Sequence, residues 1–242
     1  MQEKSIRKRA SALKIQKQAF LNDTYHWVEI ARKAVQQLPP EQFEFEVPKA
    51  KCPEENHVVV RHHPEKVKAR IMNKDLYSSA FVSSVAAVED YLYKIIELFL
   101  LEDTRRIKCT IQGISMTNNV SVVDLIDKSK EELIHGVIEE RLASVFYASP
   151  QKQLEYLDKA IGIKVPVDEW ENWIEIKARR DLWVHNGGVI NQIYLDKAKT
   201  KATGVVGTEA TITQIYFRDS IAKMKRFVGC IDTEIRKMLI GK

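Results

Sequence analysis

Between residues 74 and 101 the chain sets Phe81, Val82, Val85, Val88, Leu92, Ile95, Ile96 and Phe99 at helical spacing, giving one broad apolar face. A helix with such a face is stable only when other elements cover it, so this stretch demands a layered or bundled fold. Asp90, Lys94 and Glu97 fall on the opposite side, where water belongs. Glu89, however, falls within the apolar face. Over residues 130–147, Arg141 is surrounded in the same way by Ile134, Val137, Ile138 and Val145. Charges taken out of water need partners. Either Glu89 and Arg141 neutralise each other in the core, or Glu89 orients a cation of functional use, Arg180 or His185.

The remaining periodicities are also mostly helical. Residues 3–37 read as one long helix, with Leu13, Ala19/Phe20, Trp27, Ile30/Ala31 and Ala34/Val35 recurring along it, and Pro39-Pro40 stops it. Residues 41–66 form a connector containing Pro48, Pro53 and Pro64, with Val58–Val60 as a short strand candidate. Residues 107–126 are rich in β-branched side chains and fit neither class clearly. Ser149 and Pro150 open a short helix over 150–160. A further helix spans about 168–185 and ends at Asn186-Gly187-Gly188, residues suited to a left-handed cap. Residues 190–198 add a turn or two, the alternation Val205, Val206, Ala210, Ile212 predicts a small hairpin over 204–213, and a last helix covers 217–239. The expectation is an all-α fold with a small β-hairpin insertion, divided into an N-terminal helix and connector (1–66) and a helical domain (67–242).

No apolar run is long enough to span a bilayer, and no signal-peptide pattern opens the chain, so no membrane partner is expected. Cys52, Cys109 and Cys230 are odd in number and widely spaced, which fits a reducing cytoplasm better than a disulfide framework. His62 and His63 are adjacent and point apart, and there is no phosphate-binding glycine loop or serine-nucleophile motif. Neither a metal site nor a cofactor is expected. The net charge of +5 resides in residues 1–20, where Lys4, Arg7, Lys8, Arg9, Lys14 and Lys17 oppose only Glu3. Such a run serves either as a contact to RNA phosphates or an anionic surface, or as an ordinary solvated helix face.

The stretch KARRDLWVHNGG (177–188) concentrates the chemistry. On a helical wheel with Trp170 at 0°, Trp173, Ile174, Ala178 and Val184 form an apolar stripe. Asp181 at about 20° and His185 at about 60° lie within it, and Arg180 at about 280° lies on its edge. An imidazole beside a guanidinium suits metal-independent RNA cleavage: the histidine moves a proton at the 2′-hydroxyl or the leaving oxygen, and the arginine holds the phosphate. Arg and His five apart also occur by chance, and the plain alternative is a surface arginine and a histidine interacting with a helix C-terminus.

The segment Arg180-Asp-Leu-Trp-Val-His185 resembles the Arg-x4-6-His motif of the HEPN domain family. The longer string RRDLWVHNGGVINQIYL (Arg179–Leu195) is similar to the RiboL-PSP and related prokaryotic branches, and Ser84–Leu92 resembles an early core helix of these domains. The likeness covers about residues 70–240. It implies a helical bundle that dimerises with two Arg–His motifs in one cleft, so that the polar site between two apolar α-helical stripes of Trp170, Trp173, Ile174 and Val184 is buried where two chains meet, and a metal-independent endoribonuclease, frequently of toxin–antitoxin or antiphage systems. By this resemblance Arg180, His185 and Asp181 are the catalytic candidates, with Glu89, Asn186 and Arg179 in support and Lys4, Arg7, Lys8 and Arg9 as RNA contacts. The family often carries Asn or His where this chain has Asp181, an acid that would pair with His185. Many HEPN domains have lost catalysis and serve as binding modules, so a silent module binding RNA, a nucleotide or a partner protein is the alternative. The expected partners are a second copy, RNA, and an antitoxin or defence-system protein.

Overall fold

The computed structural model describes residues 2–43, 63–114 and 120–240. Among these the structure is helical, with no strand. Helix α1 (Gln2–Gln37) ends before a 3-10 turn at Pro40–Phe43. Helix α2 (Pro64–Arg70) runs through a π turn (Ile71–Asp75) into α3 (Leu76–Glu102). Then follow α4 (Val122–Asp127), α5 (Lys130–Tyr147) and α6 (Pro150–Tyr156), the last continued by a π turn at Leu157–Ile161. Helices α7 (Val167–His185), α8 (Gln192–Ala198) and α9 (Gln214–Ile240) complete the order.

Local chemistry explains several boundaries. Ser129 and Glu132 form a reciprocal capping box at the start of α5, satisfying two amide groups that the helix leaves open. Ser121 caps α4 by accepting from the Asp124 amide. At the end of α7 the Gly188 amide donates to the Leu182 carbonyl at 3.0 Å, six residues back, with Gly187 and Gly188 at positive φ. This is the glycine-dependent cap expected from the sequence.

Helices α1, α3, α7 and α9 build the core. Helix α1 runs antiparallel to α3 and α9: Lys17 pairs with Asp90 while Arg9 lies by Leu98, and Lys14 pairs with Asp232 while Gln214 donates to Glu29. On the other side of the α3–α9 pair, α7 packs antiparallel to α9, bringing Trp173 over Phe227 (ring centroids 5.2 Å apart, planes 9° apart) and Tyr216 onto Glu175. The inward residues of α1, Ile6, Ala10, Leu21 and Val28, join the same core as α3 and α9.

Three sequence expectations change. The stripe of Trp170, Trp173 and Ile174 is buried inside this one chain; only Val184 at its end is open to solvent. It therefore does not await a second chain. The segment 204–213 makes no hairpin of its own. It turns through Gly204 and Gly207 and pairs back on the chain after α7, with one antiparallel bridge between Val189 and Glu209. Glu89 and Arg141 do not neutralise each other: both Glu89 oxygens go to α7, while Arg141 Nη1 donates to the Cys109 carbonyl at 3.1 Å. The ambiguous stretch 107–126 closes a 3-10 turn (Thr104–Lys108) and later forms α4. The strand candidate Val58–Val60 lies outside the described residues.

Because Trp173 is only 2% exposed and stacked in this core, Trp173→Ala is expected to lower folding stability by about 3–5 kcal/mol. Denaturant unfolding followed by circular dichroism checks this. Trp173→Asp should unfold the chain rather than split an assembly.

Candidate functional site

Helix α7 carries the site on its last two turns. Arg180, Asp181 and His185 line one open cleft of about 720 Å³, together with Lys177, Lys197 and Lys199. Its walls come from the α5–α6 junction, where Tyr147 is almost fully exposed, and from α8, which contributes Ile193, Asp196 and Lys197. The motif arginine and histidine thus open on the same space, and three lysines share it.

The charges are tied in a specific order. Lys177 and Arg180, one turn apart on α7, both bind Glu89 of α3, each on a different carboxylate oxygen. Arg180 Nη1 also lies 3.2 Å from Asp181 Oδ1, and Lys197 Nζ lies 3.5 Å from Asp181 Oδ2. The expected pairing of Asp181 with His185 gives way to these two cations. Glu89 fixes Arg180 from behind, as one of its two sequence readings required. His185 is the last residue of α7 and is exposed.

Lys199 adds an unusual backbone. Its φ of 48° and ψ of −119° place it in a region favouring glycine. It is the one non-glycine residue at positive φ among the described residues. Such a conformation costs on the order of 1–3 kcal/mol and persists where the surroundings enforce it. Here Lys199 opens the 3-10 turn Lys199–Lys201 and itself lines the cleft.

Arg179 and Asn186 stand outside the cleft. Arg179 is buried and pairs with Glu175 at 2.8 Å, donates to the Tyr194 hydroxyl at 2.9 Å and to Thr203, and lies 4.2 Å from the Tyr216 ring centroid. Tyr194 and Tyr216 both donate to Glu175. Burial first, and then the Glu175 charge, hold both phenols above their ordinary pKa, so they remain neutral donors. This network binds α8 and the Thr203 segment to α7 and so sets the wall carrying Lys197 and Lys199. Asn186 closes the turn after α7 by donating to the Val189 carbonyl at 2.6 Å.

The basic run does not line the cleft. Lys4, Arg7, Lys8 and Arg9 are exposed, and Arg9 lines a groove with Leu98 and Leu101 at the C-terminal end of α3. Trp183, within the motif, meets Lys74 just before α3 begins. Arg180 meets Glu89 midway along α3, nine residues or about 14 Å along the helix from Leu98. Among the described residues no group of His, Cys, Asp and Glu is arranged to hold a metal ion.

Sequence reasoning missed the three cleft lysines. Lys177 was accessible, because it precedes Arg180 by three residues and shares its side of the helix. Lys197 and Lys199 reach the cleft only through tertiary packing. Comparison of the chain with protein-family models, with curated proteins and with solved structures finds no match in any of the three.

Gly188 combines a φ of 82° with a Trp183 ring that a Cβ would meet at 3.0 Å. Gly188→Ala should therefore destabilise the chain by about 1–3 kcal/mol. Thermal unfolding should show a lowered midpoint, and increased hydrogen exchange should appear first in the last turn of α7.

Proposed function

We propose that this chain is a metal-independent endoribonuclease of the HEPN type, acting as a cytoplasmic homodimer in toxin–antitoxin or antiphage defence. The observation that carries the reading is the convergence of Arg180 and His185 on one open cleft lined by Lys177, Lys197 and Lys199. The lysines would draw in a polyanionic backbone. His185 would take the 2′-hydroxyl proton or protonate the leaving 5′-oxygen. Arg180, held by Glu89 and Asp181, would stabilise the charge that builds on the phosphate as the 2′-oxygen attacks. The ribose supplies the nucleophile, so the products are a 2′,3′-cyclic phosphate and a 5′-hydroxyl. A second copy would bring its own Arg–His pair to the cleft. The half-exposed Val184 and the exposed Ile193 beside it are apolar side chains that such a contact would cover.

One feature favours the alternative of a catalytically silent HEPN module that binds RNA, a nucleotide or a partner protein. Arg180 already contacts two carboxylates, Glu89 and Asp181, which compete with a phosphate for its guanidinium.

Incubating the wild type with RNA in the presence of a chelator separates the two readings. The ribonuclease reading expects cleavage with cyclic-phosphate ends, lowered by about 100-fold or more in His185→Ala. Arg180→Ala should behave alike while both variants remain folded. Cleavage at a site lacking the 2′-hydroxyl rejects the mechanism. Binding without cleavage in the wild type supports the silent module.

A further inference from the structure

Helix α1 carries two apolar faces. One is buried: Ile6, Ala10, Leu21 and Val28 pack into the bundle with Thr24 among them. The other points outward and is the face whose recurrence stands out in the sequence. On it Ile15 is 65% exposed, Phe20 41%, Trp27 47% and Ile30 68%. Ala12, Ala19 and Ala34 are exposed on the same side. On the wheel these residues occupy an arc of roughly 140° centred opposite the buried face. Between Ala12 and Ala34 the charges on that arc are Asp23 and Lys33. An apolar stripe on the solvent side of a helix marks an interaction surface.

We infer that this face of α1 binds the same face of a second copy, antiparallel, about a twofold axis near Asp23. A self-complementary seam needs small residues opposite large ones, and this register supplies them: Ala19 of each copy faces Trp27 of the other. Charge selects the direction. Parallel pairing would stack the two exposed basic runs, Lys4 to Arg9, against each other, and like charges side by side are destabilising. Antiparallel pairing separates the two runs and sets each beside the end of the partner's helix, where, among the described residues, Glu41 is exposed and Lys68 is held by the Gln36 and Leu38 carbonyls. The area is also sufficient. The open parts of the four large side chains come to roughly 400 Å² per copy, and the alanines, Gln16 and His26 between them bring the seam toward the ~800 Å² per partner of a standard interface. The seam runs over residues 12–34 of the 36-residue helix, about 33 Å. This interface lies across the bundle from the cleft and does not depend on the reading of Arg180 and His185.

Sedimentation of the full chain at tens of micromolar tests the inference. The wild type should contain an associated species that the double variant Trp27→Glu/Ile30→Glu weakens about tenfold or more. Circular dichroism should confirm that this variant keeps its helix content. Val184→Glu, beside the cleft, should leave the α1 association intact. The axis brings the two Asp23 carboxylates together, so Asp23→Asn should tighten the association, a gain that misfolding does not mimic. A wild type that stays monomeric, or an association lost in Val184→Glu but unchanged in Trp27→Glu/Ile30→Glu, overturns the inference. So does an association that Asp23→Asn leaves unchanged or weakens.

Discussion

A carboxylate in the middle of an apolar helix face must find a cation, and Glu89 finds two. Lys177 and Arg180 approach it from one side of α7, and the contact joins α3 to the helix that carries the site. The three side chains are neither fully buried nor fully solvated, with Arg180 at 17% side-chain exposure and Glu89 at 20%. That intermediate position keeps the guanidinium oriented while leaving part of it open to the cleft. A surface pair would leave the arginine free to swing, and pairs of that kind contribute little.

Two neighbouring arginines show how one helix serves two purposes. Arg179 faces the interior of the α7–α8–α9 junction and is fully engaged by Glu175, Tyr194, Thr203 and Tyr216. Arg180 faces the cleft. The first arrangement holds the wall in place and the second presents charge along it. Removing one member of a buried set such as Glu175–Arg179 leaves the other charge uncompensated, which is why groups like these strongly constrain the packing around them.

Much of the helical architecture was legible in the sequence. The apolar periodicities of α3, α7 and α9 are strong, and Ser149 and Gly188 mark where elements start or stop. What covers each face was not legible. The tryptophan stripe of α7 resembled an intermolecular surface, yet α9 supplies Phe227 to cover it. Arg179 lies about 180° from Trp170 on the wheel and so pointed to water, but α8 and the Thr203 segment fold over that side. On α1 the large exposed side chains outweighed the buried positions, where Ala10 and Thr24 give little hydrophobic signal. The alternation over 204–213 did encode extended backbone, but its partner is the segment after α7 rather than its own second half. Within the site, Arg180, Asp181 and His185 were visible from spacing, whereas Lys197 and Lys199 depend on long-range packing that a local pattern does not contain.

The strained backbone of Lys199 sets stability against charge at a single position. Glycine would adopt its φ of 48° without the steric cost, so Lys199→Gly would relax the turn. The same change would delete one of the cations facing the cleft. A variant library screened for heat resistance alone would therefore drift toward a less cationic cleft here, in a trade of stability against surface charge. Selection for thermal tolerance and selection for positive charge along the cleft should diverge at residue 199.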